Sequence, residues 1–155
     1  MRIKLLVMDV DGTLTDGRIY LGVQGEVMKA FDVRDGYAIA QILPQLGITP
    51  VIITGRSSAI VAQRAKELKI TELYQGVSGK LTKLKEVAAK FGASADEVAY
   101  IGDDLNDLDC VQYCGCTACP GDAAPEVLEA VDYVCKHDGG RGAAREFIEF
   151  LCARA

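Results

Sequence analysis

Residues 3–16 read Ile3-Lys4-Leu5-Leu6-Val7-Met8-Asp9-Val10-Asp11-Gly12-Thr13-Leu14-Thr15-Asp16. A short, almost uninterrupted apolar run stops on an acid. Such a run is the pattern of a strand covered on both faces, as in a parallel sheet. Side chains two apart on extended backbone project to the same side, so Asp9 and Asp11 can face one site. In open α/β sheets that site lies beyond the carboxyl ends of the strands. Gly12 permits a tight turn whose N–H groups point at an anion. Two acids at the end of a hydrophobic strand call for a positive partner.

The remaining sequence repeats this rhythm. Short β-branched runs stand at Ile3–Met8, Pro50–Thr54, Glu97–Ile101, Gly115–Ala118 and Val131–Cys135, with a briefer one near Leu73-Tyr74. Helical patterns fall between them at about Asp35–Leu46, Ser58–Leu68, Lys80–Phe91, Asp104–Val111, Ala124–Ala130 and Gly142–Cys152. The alternation predicts a doubly wound α/β fold with a parallel sheet, in a single domain spanning residues 1–155. One segment, about residues 17–34, breaks the pattern. Arg18–Leu21 and Val27–Val33, joined through Gly22-Val23-Gln24-Gly25, predict a β-hairpin flap after the first strand.

Composition narrows the function. The 155 residues carry a net charge of −5, against a nucleic-acid-binding or anionic-membrane surface, both of which call for a basic face. No apolar run reaches the ~18 residues of a membrane span, and the N-terminal apolar stretch is too short for a signal-peptide core. A cytoplasmic protein is expected. The six cysteines, Cys110, Cys114, Cys116, Cys119, Cys135 and Cys152, crowd the last third of the chain and read as free thiols. Cys114-Gly-Cys116-Thr-Ala-Cys119 lacks a nearby fourth ligand for zinc, and buried cysteine behaves as a small hydrophobe.

The chemistry gathers at three further places. Ile52-Ile53-Thr54-Gly55-Arg56 puts a hydroxyl and a glycine at the end of the second strand. Gly102-Asp103-Asp104-Leu105-Asn106-Asp107 puts an acidic cluster after a later one, and Lys80 opens the helix between them. A metal–phosphate site needs these parts: carboxylates for a hard divalent cation, a neutral donor, and a fixed cation for phosphate charge.

DxDGT, a strand ending in Thr, a Lys and GDxxxD, in that order, resemble the haloacid dehalogenase superfamily of phosphohydrolases. The resemblance spans Asp9 to Asp107. It implies that Asp9 is the nucleophile and Asp11 the general acid and base. It implies that Thr54 donates to a phosphoryl oxygen and that Lys80 balances charge on Asp9 and the phosphate. It places Mg²⁺ on Asp9, the backbone carbonyl of Asp11, and Asp103. Asp107, with Asp104 as the other option, supports the metal-bound water or Lys80.

Many members of that superfamily carry a cap domain. Neither the interval from Asp9 to Thr54 nor that from Thr54 to Lys80 has room for one once the hairpin and helices are placed. A capless site is open unless another subunit closes it. The hairpin's apolar residues Ile19, Leu21, Val27, Met28 and Phe31 exceed what a small flap buries by itself, which points to an interface. LTDGRIYL, FDVRDGYAI, ITGRSSAIVAQRAKEL, YQGVSGKLTKL, YIGDDLNDL and GGRGAARE resemble one capless subfamily, the tetrameric phosphatases of 3-deoxy-manno-octulosonate 8-phosphate in lipopolysaccharide sugar synthesis. The likeness implies a homotetramer acting on a phosphorylated sugar acid. Relatives that act on 9-phosphates of nine-carbon sialic-type sugars form the alternative. Members related to that class can carry an acid where this chain has Arg56, which favours the eight-carbon substrate. The substrate carboxylate asks for a second cation. Arg64, eight residues beyond Arg56, and Arg141 are the candidates, with Gly55 and Arg56 beside the phosphate.

Two other classes use similar parts. A receiver domain carries its acid pair before the phosphorylated strand, whereas here the second acid follows the nucleophile by two residues. A non-catalytic oligomerisation scaffold has no use for the full set of catalytic positions.

Overall fold

A computed structural model describes residues 2–155. In chain order the strands are β1 (Leu5–Met8), β2 (Tyr20–Gly22), β3 (Gly25–Met28), β4 (Thr49–Ile53), β5 (Glu72–Tyr74), β6 (Val98–Ile101), β7 (Cys116–Cys119) and β8 (Tyr133–Val134). The helices are α1 (Val33–Tyr37), α2 (Leu43–Leu46), α3 (Ala59–Glu67), α4 (Lys80–Lys90), α5 (Leu108–Tyr113), α6 (Pro125–Ala130) and α7 (Ala143–Ala153). Six strands form one parallel sheet in the order β5-β4-β1-β6-β7-β8, and β2 and β3 form a separate antiparallel hairpin. This is the doubly wound sheet expected from the sequence, with no cap domain.

Alternation along the central strands divides the core. Leu6 and Met8 face a layer that includes Ile39, Leu43, Val61, Ala65, Phe147 and Ile148, from the α1–α2 region, α3 and α7. Leu5 and Val7 face Leu84, Val87, Cys110 and Val111, from α4 and α5. Every residue of β1 and β6 is buried, so a one-residue slip would exchange two packed faces. The register therefore holds: Met8 pairs with Ile52 on one side and Ile101 on the other. That pairing brings the ends of β1, β4 and β6 side by side.

Several boundaries differ from expectation for local reasons. The hairpin's second strand ends at Met28 rather than Val33, because Asp32 caps α1 by accepting from the Arg34 and Asp35 amides. The helical stretch after it is broken by a π segment, Ala38–Ile42. Pro44 lacks an amide hydrogen and crowds the carbonyl four residues back. The wider turn resolves this, with the Leu43 amide donating to the Ala38 carbonyl. The expected Asp104–Val111 helix begins as a 3₁₀ turn, Leu105–Asp107, before α5. Phe31, expected on the exposed ribbon, turns inward and packs on the core.

All six cysteines are free, and five are buried. Cys116 and Cys119 lie on β7, whereas Cys114 caps α5 instead of starting the strand. No helix among the described residues is long and apolar enough to cross a membrane.

Candidate active site at the strand ends

Asp9 follows β1, and its amide donates to the Ile101 carbonyl at 3.1 Å, which fixes it against the end of β6. Lys80, at the start of α4, reaches the same point from beyond β5. Its ammonium donates to Asp9 Oδ1 and Asp107 Oδ1, both at 2.9 Å. All three residues are buried. A buried ammonium is tolerable only when paired, and here two carboxylates pair it. Burial lowers the Lys80 pKa, but the charges of Asp9 and Asp107 outweigh it and the net direction is up.

Asp107 is fully engaged. Oδ1 also accepts the Tyr100 hydroxyl, and Oδ2 accepts the Asp103 and Asp104 amides at 2.9 and 3.1 Å. Four donors on two oxygens make it the holder of Lys80 and of the loop that presents Asp103. Asp104, the other acid considered for support, is exposed and caps the 3₁₀ turn through the Leu105 amide at 2.8 Å. The support falls to Asp107.

Asp103 leans on the first loop. Its Oδ1 accepts the Thr13 hydroxyl at 3.0 Å, and a Cβ on Gly12 would lie 1.9 Å from its Oδ2. Gly12, at φ +94°, is therefore required by both backbone conformation and contact. The loop at Gly139 closes the other side, since a Cβ there would meet the Gly12 carbonyl oxygen at 1.9 Å.

Carboxylate oxygens of Asp9, Asp103 and Asp107 lie within 4.8 Å of one another. Burial, then the charge of Asp107, raise the Asp9 pKa against the pull of Lys80. Burial, then the adjoining Asp9, raise that of Asp103. A hard divalent cation held by this cluster would offset the crowding, and an all-oxygen donor set suits Mg²⁺.

Thr54 is buried at the end of β4; its amide donates to the carbonyl of Tyr74, the last residue of β5, and its carbonyl accepts the amide of Val77 in the loop that leads to Lys80. Gly55 and Arg56 follow it toward solvent. Asp11 stands apart from the acid cluster. Its Oδ1 pairs with Lys29 at 2.6 Å, and its Oδ2 lies 4.0 Å from the Arg56 Nε. Arg64 does not join these groups. It stacks its guanidinium 5.4 Å from the Phe31 ring centre and donates to Glu67 and the Asp32 carbonyl. Arg141, the other candidate for the carboxylate, is exposed, and its carbonyl accepts from Arg34.

Sequence reasoning passed over Lys29 and Glu26. The pair stands at i and i+3 as the only two charges between Arg18 and Asp32, a signal that was available. Glu26 Oε2 receives Lys29 at 2.9 Å, and its Oε1 receives the Ser58 hydroxyl at 2.6 Å. Burial lowers the Lys29 pKa, but hydrogen bonds to Asp11 and Glu26 reverse that and hold it up.

A family model for haloacid dehalogenase-like hydrolases matches residues 70–147. The 3-deoxy-D-manno-octulosonate 8-phosphate phosphatase KdsC of Escherichia coli K12 is 45% identical over 149 residues, which cover 96% of this chain and 79% of KdsC. The chain belongs to the haloacid dehalogenase-like hydrolases. Solved structures of this hydrolase family superpose along nearly the whole chain. The Yersinia pestis 3-deoxy-D-manno-octulosonate 8-phosphate phosphatase has a TM-score of 0.94 at 45% identity, covering 97% of this chain and 81% of that one. The Moraxella catarrhalis phosphatase, in complex with magnesium, phosphate and KDO, has a TM-score of 0.93 at 44% identity, covering 97% and 86%. The cobalt-bound Haemophilus influenzae phosphatase scores 0.94 at 37% identity, covering 98% and 88%.

Proposed function

We infer that the chain is a magnesium-dependent phosphomonoesterase that hydrolyses 3-deoxy-D-manno-octulosonate 8-phosphate through a phosphorylated Asp9. The observation that carries this reading is a buried carboxylate, Asp9, held by Lys80 at 2.9 Å inside a cluster of acids at the ends of adjacent strands. The names of the relatives supply the substrate.

In the first step an Asp9 oxygen attacks phosphorus. The bond to the sugar oxygen breaks, its electron pair stays on that oxygen, and Asp11 supplies the proton. In the second step water attacks the phosphorus on Asp9, Asp11 takes the proton, and inorganic phosphate leaves. Lys80 and Thr54 hold the phosphoryl oxygens throughout, with Gly55 letting the backbone approach. Asp107 acts through Lys80 and through the Asp103 loop. Mg²⁺, held by Asp9, Asp103 and the Asp11 carbonyl, supplies charge neutralisation that lets a phosphate dianion approach an ionised nucleophile.

Arg56 is half-exposed with its Nε 4.0 Å from Asp11, the proposed general acid, which supports a role toward the leaving group that favours the eight-carbon sugar acid over nine-carbon 9-phosphates. The exposed apolar side chains Leu21, Val23, Val27 and Met28 support a homotetramer with hairpin-mediated contacts. Arg64 reaches a substrate carboxylate only if it leaves Phe31. A cytoplasmic location agrees with free, buried cysteines.

The test is phosphate release from the 8-phosphate and from nine-carbon 9-phosphates, with and without Mg²⁺, with Asp9→Asn as blank. Metal-dependent release favouring the 8-phosphate is expected. Preference for a nine-carbon sugar would keep the mechanism and overturn the substrate.

A further inference from the structure

We propose that Lys29 is a positioning residue for the acid–base step: it fixes Asp11 Oδ1 and so assigns Oδ2 as the oxygen that carries the proton. The proposal rests on the phosphatase reading above. Lys29 follows β3, in the hairpin, and none of the sequence motifs includes it. Its side chain is only 2% exposed, and it ends between two carboxylates, Asp11 Oδ1 at 2.6 Å and Glu26 Oε2 at 2.9 Å. An ordinary surface ion pair fixes little, because both partners move in water. This one is anchored at its far end. Glu26 Oε1 takes the Ser58 hydroxyl at 2.6 Å, and Ser58 caps α3 by accepting the Val61 amide at 3.3 Å. The Ser58 backbone is held in turn by both polar atoms of Gln75, at 2.9 and 3.1 Å. The chain of contacts therefore runs from a helix terminus, through Glu26 and Lys29, to one oxygen of Asp11.

The other oxygen has no hydrogen-bond partner among the described residues, and half-exposed Arg56 brings its Nε to 4.0 Å from it. When the phosphorus–oxygen bond breaks toward Asp9, the electron pair goes to the sugar oxygen and the proton comes from Asp11 Oδ2. With Lys29 gone, Asp11 rotates freely, and that transfer loses its geometry. The same contacts join the hairpin to the site, so the flap and the acid are set together.

A purely structural Lys29 and a positioning one differ in how the loss depends on the leaving group. A sugar alkoxide needs the proton, whereas p-nitrophenolate leaves without one. The measured quantity is kcat/KM, which reports only steps up to phosphorylation of Asp9. For Lys29→Met we expect kcat/KM to fall ~10²-fold on the 8-phosphate but no more than about threefold on p-nitrophenyl phosphate. Glu26→Gln keeps a hydrogen bond to Ser58 and loosens Lys29, so the same split is expected at about tenfold or less. It carries the test if Lys29→Met does not fold. Equal losses on both substrates, or no loss on the 8-phosphate, would overturn the positioning role. A wild-type enzyme inactive on both substrates would instead overturn the phosphatase reading.

Discussion

The acid cluster and the hairpin begin within a dozen residues of each other in sequence, yet their surroundings differ in kind. Around Asp9 the charged groups are paired and, Asp103 apart, buried: Lys80 with Asp9 and Asp107, Asp107 with Tyr100 and two amides, while half-buried Asp103 accepts from Thr13. In the hairpin, Leu21 and Val27 are 68% and 62% exposed, and its two strands pair only with each other. The difference teaches where each kind of interaction is useful. Charges that must stabilise a transferring phosphoryl group are worth most when dry and fixed in advance. An apolar ribbon with no cover of its own gains its stabilisation from a partner. Lys29 and Glu26 are where the two regimes meet.

The largest effect should come from breaking the pinned side. Lys80→Met leaves Asp9 and Asp107 facing each other across a buried gap. Turnover should fall ~10³-fold, and urea denaturation should show a loss of about 3–5 kcal/mol, as for a buried pair with one partner removed. Activity within tenfold of wild type would show that the cluster is less preorganised than its geometry indicates.

Asp35 sharpens the comparison, since it is buried like the cluster but incompletely satisfied. Oδ1 accepts the Arg145 amide at 2.9 Å, while Oδ2 is buried without a hydrogen-bond partner. Burial pushes its pKa from 3.8 up to about 6. A raised carboxyl pKa favours folding below the unfolded value, and that contribution is lost as pH rises through about 6. Asp35→Asn does not titrate, so its stability relative to wild type should climb between pH 4 and 7 by roughly 2–3 kcal/mol. Denaturant melts at the two pH values read this directly, and a pH-independent difference would contradict it.

The smallest effect on the protomer should come from the hairpin. Leu21→Ser with Val27→Thr should change protomer stability by no more than about 0.5 kcal/mol, because both sites are exposed. The mass measured by light scattering should nevertheless drop from that of the proposed tetramer toward that of the protomer. An unchanged mass would place the assembly surface elsewhere.

Much of this was legible in the chain. The apolar run before Asp9 gave a central parallel strand, and Asp9, Thr54 and Asp103 marked the strand ends, with Lys80 opening a helix between them. What stayed hidden depends on contacts between distant segments. Lys29 and Asp11 meet across a hairpin whose fold back onto the site leaves no periodic trace. The choice of Asp107 over Asp104 is made by a 3₁₀ turn that points one acid inward and the other to solvent. The π segment follows from Pro44, which was visible, though the remedy the helix would adopt was not. Phe31 sat in an exposed-looking ribbon, and only its packing on the core beside Arg64 shows that it turns inward.

The central claim is that phosphate passes through Asp9, and trapping it there tests this most directly. Asp11→Asn retains Asp9 but removes the proposed base for the second step. Mixed with Mg²⁺ and ³²P-labelled p-nitrophenyl phosphate and quenched in acid, this variant should carry the label on the peptide containing Asp9. The double variant with Asp9→Asn should carry none. Label on another residue, or fast phosphate release with no labelled protein, would contradict the account.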